Sequence, residues 1–371
     1  MAGIYIHIPF CAKRCIYCDF FSTIQSKKKG AYVDALCGEL VERRGYLLGT
    51  VVSTVYFGGG TPSQLSFHDF SRIFDVIREY YKVSDECEIT VEANPDDLDD
   101  SYVEQLCMLP FTRLSMGIQT FHNPTLRLLN RRYLAEEAVE AYGRCRKAGF
   151  DNISIDLMYG LPGQTLEMLG DDVARAISMR PQHISSYALM YEEGTPLWKL
   201  RQEDKVREAD EELSLSMYSL LVNELKKSGY QHYEISNFCL PSYHSRHNSS
   251  YWQGEAYLGV GAGAHSFDGN SRQWNKPDLD AYLATRPFDR EELDLATRYN
   301  EFVMTRLRTM WGLPLKLLLQ DFGMSLYEHC LLMAQYYLHR GLLERIDDTL
   351  RLTPQGIFVS DGIMSDLMWV D

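Results

Sequence analysis

The sequence predicts an α/β protein of six parallel strands wound with helices, followed by a small C-terminal helical, winged-helix-like domain. Three observations predict it. Strand-like and helix-like periods alternate up to residue 190, glycine-rich and polar tails collect at the ends of successive strands, and after residue 200 the alternation stops.

Taken in order, "GIYIHI" (3–8) reads as a strand and 30–48 as an amphipathic helix. "VSTVYFGG" (52–59) reads as the second strand and "FHDFSRIFDVIREYY" (67–81) as its helix. "EITVEAN" (88–94) precedes a helix at 100–109, and "RLSMGIQT" (113–120) precedes helical segments ending at "RKAG". "NISIDLMYG" (152–160) pairs with the helix "LEMLGDDVARAISM" (166–179), and "HISSYALM" (183–190) closes the series. This order requires parallel strands with right-handed crossovers, buried enough to be almost continuously apolar. Alternation alone leaves barrel and open sheet both open. The tails "GGGTP" (58–62), "EANP" (92–95), "GIQT" (117–120) and "DLMYGLPGQT" (156–165) all end strands, on the face where barrel-type sites are built. Beyond them come a long helix (210–228), the strand-like "YQHYEISNF" (230–238) and a loop-rich stretch to 290. From 297 the chain reads as mainly helical, ending in a small hairpin at "LLERIDDTLRLTPQG". The expected division is therefore 1–230, 231–290 and 291–371.

The chain has 371 residues, 45% hydrophobic and 24% charged, the composition of an ordinary globular protein. No apolar run approaches the ~20 residues of a membrane span, and "MAGIYIHIPF" lacks the basic start of a signal peptide. A cytoplasmic location with reduced thiols is expected. The net charge of −14 argues against nucleic acid, and "KKK" (27–29) reads as the solvated start of a helix. Of nine cysteines, those at 37, 87, 107, 145, 239 and 330 are scattered and read as small buried hydrophobes.

The other three, Cys11, Cys15 and Cys18, share the stretch "IHIPFCAKRCIYCDFFS" (6–22). A redox C-x-x-C pair would leave Cys11 unexplained. A zinc site needs a fourth ligand, for which His7 is near. A [4Fe–4S] cube held by three cysteines, with one iron left open to a small ligand, suits a loop with C-x3-C-x2-C spacing. Joined to "GGGTP" and the later strand ends, these cysteines resemble the radical S-adenosylmethionine (SAM) superfamily, whose hallmark is this spacing after the first strand of a partial (β/α)6 barrel. The resemblance covers at least residues 3 to 190.

That resemblance implies a [4Fe–4S] cluster on Cys11, Cys15 and Cys18, with SAM beside it. Tyr5 and Tyr17 would line the adenine side, and Gly59, Gly60 and Thr61 would hold the methionine part, with Gly58 helping the backbone approach it closely. Glu92, Gln119, Arg131, Asp156 and Ala188 complete the implied set. Carboxylates accept from ammonium and ribose hydroxyls, and a guanidinium pairs with a carboxylate. Tyr133 stands where relatives often have histidine.

The fuller wording "IHIPFC", "YFGGGTPS", "SIDLMYGLPGQT" and "YEISNF" is similar to the branch containing oxygen-independent coproporphyrinogen III dehydrogenase and the HemW-type heme chaperones. The dehydrogenases carry a further cysteine where this chain has Phe20, and an extension before the first strand, which here begins at Gly3. "RHNSSYW" (246–252) fits H-N-x-x-Y-W, a motif of the chaperone group. It implies heme, with His247 as an exposed axial ligand, Tyr251 and Trp252 against the macrocycle, and His244 and His265 as competing ligands. The resemblance thus implies a chaperone that binds cluster, SAM and heme and hands heme to an apo-hemoprotein, with peripheral contact where the recipient is membrane-bound, as a monomer or dimer. The alternative it implies is the dehydrogenase, a radical oxidative decarboxylase of coproporphyrinogen III. "GVGAGA" (259–264) lacks the acidic partner and following helix of a dinucleotide site and reads as a close-packed turn.

Overall fold

A computed structural model describes residues 1–370. The six expected strands are present: β1 (Ala2–Ile8), β2 (Val52–Gly59), β3 (Val83–Ala93), β4 (Arg113–Gln119), β5 (Ile153–Tyr159) and β6 (His183–Ala188). They lie side by side in chain order, each parallel to the next. Their outward residues, among them Ile4, Ile6, Phe57, Val91, Leu114 and Ile155, are buried against the surrounding helices. Under one such helix, Phe57, Phe70, Phe74 and Phe111 meet edge to face at centroid separations of 5.1 to 5.6 Å. That helix, Phe67–Tyr80, starts where Ser66 and Asp69 cap each other's backbone.

The six strands do not close on one another. Both edges are extended instead, into one open twelve-stranded sheet. At the β6 edge a short hairpin, β7 (Gln231–Glu234) and β8 (Asn237–Cys239), adds antiparallel strands. At the other edge β9 (Tyr257–Val260) runs parallel to β1, and β10 (His265–Phe267), β11 (Ser271–Asn275) and β12 (Phe288–Glu292) continue antiparallel. The strand-like reading of 230–238 holds in β7 and β8, and the loop-rich reading of the stretch from there to 290 is corrected. These residues form two wings of the same sheet, in strands of three to five residues, too short for a two-residue period to stand out. "GVGAGA" turns out of β9, with the Gly261 N–H donating to Glu39 and the Ala262 N–H to Tyr32.

The C-terminal part has its own core of Tyr299, Val303, Leu307, Leu318, Cys330, Ile363 and Leu367. Helices Leu295–Leu307 and Leu315–His339 pack with a three-stranded sheet of β13 (Leu313–Pro314), β14 (Leu343–Ile346) and β15 (Thr349–Leu352). β14 and β15 are the expected hairpin. Of the scattered cysteines, Cys87, Cys145, Cys239 and Cys330 are buried and Cys37 is half-buried, but Cys107 is exposed at a helix end, contrary to expectation.

Candidate cofactor site

The loop leaving β1 closes on its own base before it presents any thiol. Thr23 N–H donates to the Pro9 carbonyl (2.7 Å) and Cys11 N–H to the Thr23 carbonyl (2.9 Å). Further bonds pin its middle: Ile16 N–H to Leu129 O (3.3 Å), Leu197 N–H to Ile16 O (2.9 Å) and Asn130 Nδ2 to Arg14 O (2.7 Å). Cys11, Cys15 and Cys18 are half-buried at the mouth of a cavity of about 400 Å³. Its wall also includes Tyr17, Gly59, Gly60, Thr61, Glu92, Gln119, Arg131, Asp156 and Ala188. Residues separated by up to 177 positions in sequence thus meet at the C-terminal ends of adjacent strands.

Two expected residues are not on that wall. Tyr5 lies behind it, with its hydroxyl on His7 Nδ1 (3.2 Å), and its stacked neighbour Tyr56 takes the wall position. His247 is the other. The helix Arg246–Trp252 fits against the N-terminal halves of β1 and β2, at the opposite end of the strands from the cysteines. Glu88 accepts from the Arg246 and His247 amides (3.1 and 3.0 Å), which fixes the start of the helix. The imidazole is 1% exposed, hydrogen-bonded through Nδ1 to Thr54 Oγ1 and through Nε2 to Tyr251 Oη, both at 2.8 Å. Its ring stacks on Tyr56 at 5.0 Å, and burial pulls its pKa down to about 3. The expected exposure is corrected: both nitrogens are engaged, and only Asn248 of this motif reaches the cavity. Trp252 is half-buried, with the Arg308 guanidinium 4.9 Å over its ring.

Charge is arranged around the wall. Arg131 donates to Cys15 Sγ (3.1 Å), Asn94 Oδ1 (3.0 Å) and the Gly117 carbonyl (2.6 Å), and through Nε to Tyr133 Oη (2.9 Å). The departure at Tyr133 therefore still serves to orient the arginine. Burial pushes the Cys18 thiol up to about 11, so a metal has a proton to displace there. Glu92 accepts from Tyr56 (2.7 Å) and from the Gly59 amide (3.2 Å), yet burial holds its pKa up at about 7. Burial also raises Asp156, against help from Ser185 and Ser115. Arg113, 1% exposed, lines the same wall, and its Nε has no hydrogen-bond partner.

The glycines carry a further constraint. A Cβ on Gly59, whose φ is +109°, would come within 2.4 Å of the His7 ring, and one on Gly60 within 2.7 Å of the Pro9 carbonyl carbon. Their smallness is thus required by β1 as well as by anything in the cavity.

These residues suit a cube rather than a single ion. His7, the fourth ligand a zinc site would use, has its nitrogens on Phe21 O (2.9 Å) and Tyr5 Oη (3.2 Å). Among the described residues no three His, Cys, Asp or Glu side chains converge as a single-ion site. Three thiols on one loop, a guanidinium on one of them and a roomy cavity alongside fit a cluster with an open corner.

Tyr56, Arg113, Ser115, Ser185 and Tyr187 also line the cavity and were not singled out from sequence. The signal was there at a period of two. Thr54-Tyr56-Gly58, Glu88-Thr90-Glu92, Arg113-Ser115-Gly117 and His183-Ser185-Tyr187 are alternate, non-aliphatic positions within strands whose intervening residues are mainly apolar. Register places them side by side, as in Tyr56 beside Thr90 and Thr90 beside Arg113.

The model of the radical SAM superfamily matches residues 5–176, and that of the HemN C-terminal domain matches residues 293–359. Heme chaperone HemW of Lactococcus lactis is 37% identical over 302 residues, 81% of this chain and 77% of that protein. Heme chaperone HemW of Bacillus subtilis is 34% identical over 371 residues, 98% of each. The solved structure of coproporphyrinogen III oxidase (HemN) from Escherichia coli superposes with a TM-score of 0.85, covering 99% of this chain and 90% of that one at 24% identity.

Proposed function

This chain belongs to the heme chaperone HemW family, and from that membership we infer that it binds a [4Fe–4S] cluster, SAM and heme and delivers heme to apo-hemoproteins. The observation that carries the reading is the match to a heme chaperone over 98% of both chains.

In this reading Cys11, Cys15 and Cys18 would hold the cluster, which would supply an iron able to bind SAM. Arg131 holds the Cys15 side of the site and offers its charge to the ligand's carboxylate. Glu92 and Asp156 are the acceptors for ammonium and ribose hydroxyls, and a cationic ligand beside them favours their ionised forms. Tyr17, Gly59, Gly60, Thr61, Gln119 and Ala188 shape the remaining wall. Residues 1–292 form the cofactor unit, and 293–370 a separately packed domain. No helix among the described residues is long and apolar enough to cross a membrane. The reading includes a cytoplasmic protein, a monomer or dimer, that meets membrane-bound recipients peripherally.

The test pairs two readouts on one anaerobically reconstituted preparation: a Soret titration with heme, and chromatography for decarboxylated porphyrinogen after reduction with SAM. Heme binding without product is expected. Multiple-turnover decarboxylation would replace the chaperone by the dehydrogenase, for which the intact cofactor wall is the favouring observation.

A further inference from the structure

We propose that heme docks across the mouth of the cavity, its face on Phe20 and Met190 and its propionates on Lys13 and Arg14. The inference rests on the heme-binding reading above and assigns that ligand a place.

Phe20 follows the last cluster cysteine and Met190 follows β6, so the two reach the mouth from unconnected parts of the chain. They are 65% and 64% exposed. Large apolar side chains exposed together at the rim of a cavity mark a surface that is covered in use. Lys13 and Arg14 line the same mouth, and among the described residues neither makes an ion pair. Apolar platform plus adjacent cations is the complement of a flat macrocycle bearing two carboxylates.

The interior is the wrong place for that macrocycle. Its wall carries four buried ionisable groups, Glu92, Asp156, Arg113 and Arg131, which oppose an apolar ring. The motif helix does not offer a site either, since the His247 nitrogens are engaged at the far end of the strands. Two carboxylates, Asp19 and Glu192, also stand at the mouth and limit affinity by repelling the propionates. Heme over the mouth would sit above the cluster loop and leave the cavity to SAM.

The experiment titrates cluster-loaded full-length protein with hemin and, separately, with metal-free protoporphyrin IX. Phe20→Ser/Met190→Ser and Lys13→Glu/Arg14→Glu should each weaken both ligands roughly tenfold, at unchanged iron content. Asp19→Asn/Glu192→Gln should tighten both, a gain that misfolding cannot mimic. Wild-type affinity in all three variants would overturn the proposal, as would variants that bind both porphyrins normally but lose only transfer to an apo-hemoprotein, which would make the patch a protein contact. Wild-type protein that binds neither porphyrin would instead defeat the chaperone reading itself.

Discussion

At the residue scale, His247 shows how a motif residue acts through its neighbours. Its ring joins Thr54 on β2, Tyr251 on its own helix and the face of Tyr56, whose hydroxyl holds Glu92. His247→Ala leaves two buried hydroxyls without partners and opens a gap beneath Tyr56. We expect a loss of about 2–4 kcal/mol, read as a lower Tm, with heme affinity of the folded protein unchanged. A Soret titration giving a large loss of affinity at intact fold would reinstate the imidazole as ligand. Glu92 supplies a pH effect of defined sign. Its folded pKa, raised from 4.5 to about 7 by burial, means the native state keeps a proton that the unfolded chain releases. Stability therefore falls as pH rises from about 4.5 through about 7, by roughly 3 kcal/mol from this group. Glu92→Gln removes that slope. The Tm gap between the native protein and the variant should shift in favour of the variant from pH 5 to pH 8, and a constant gap would show that Glu92 is ionised throughout.

At the element scale, the cysteine loop and the glycine turn behave oppositely. The loop is held by backbone bonds at its base and middle, and none of them involves a thiol. Cys11→Ala, Cys15→Ala or Cys18→Ala should each abolish the cluster and leave the far-UV circular dichroism unchanged. Retained iron and visible absorption in any single variant would remove that cysteine from the ligand set. The glycine turn is structural. Gly59→Val forces a β-branched residue to a φ of +109° and into the His7 ring. It should cost roughly 2–4 kcal/mol, so loss of SAM binding in this variant would follow from displacement of β1 against β2. A variant with native Tm and selectively weakened SAM binding would show that β1 yields and that the cavity feels the side chain directly.

At the scale of the molecule, the sheet wings bind the chain into one cofactor unit. β9 supplies the hydrogen-bonding partner of β1, the strand that launches the cysteine loop, and the helix just before it packs on the N-terminal halves of β1 and β2. The C-terminal domain instead has a separate core, joined by contacts such as Met310 N–H to Tyr233 O (2.9 Å) and Arg306 to the Gln253 carbonyl (2.7 Å). A chain ending after Leu293 should therefore still fold and load iron, whereas one ending after Tyr230 loses the partner of β1 and should aggregate. Size-exclusion chromatography with iron analysis reads both. A folded, iron-loaded product from the shorter chain would overturn the integral role of the wings.

The sequence by itself determined the six parallel strands, the face on which chemistry gathers, and the grouping of three thiols. All three follow from local properties: period, strand-end composition and spacing along the chain. Only the tertiary structure decided where the second half of the chain goes. The strands of 231–292 are short, and β9 finds its partner β1 more than 250 residues upstream, so no local pattern carries that register. It also decided that His247 is buried while Phe20 and Met190 are exposed. A histidine, a phenylalanine and a methionine carry no intrinsic address. Their exposure is set by which other strands and loops close over them, and that depends on long-range packing.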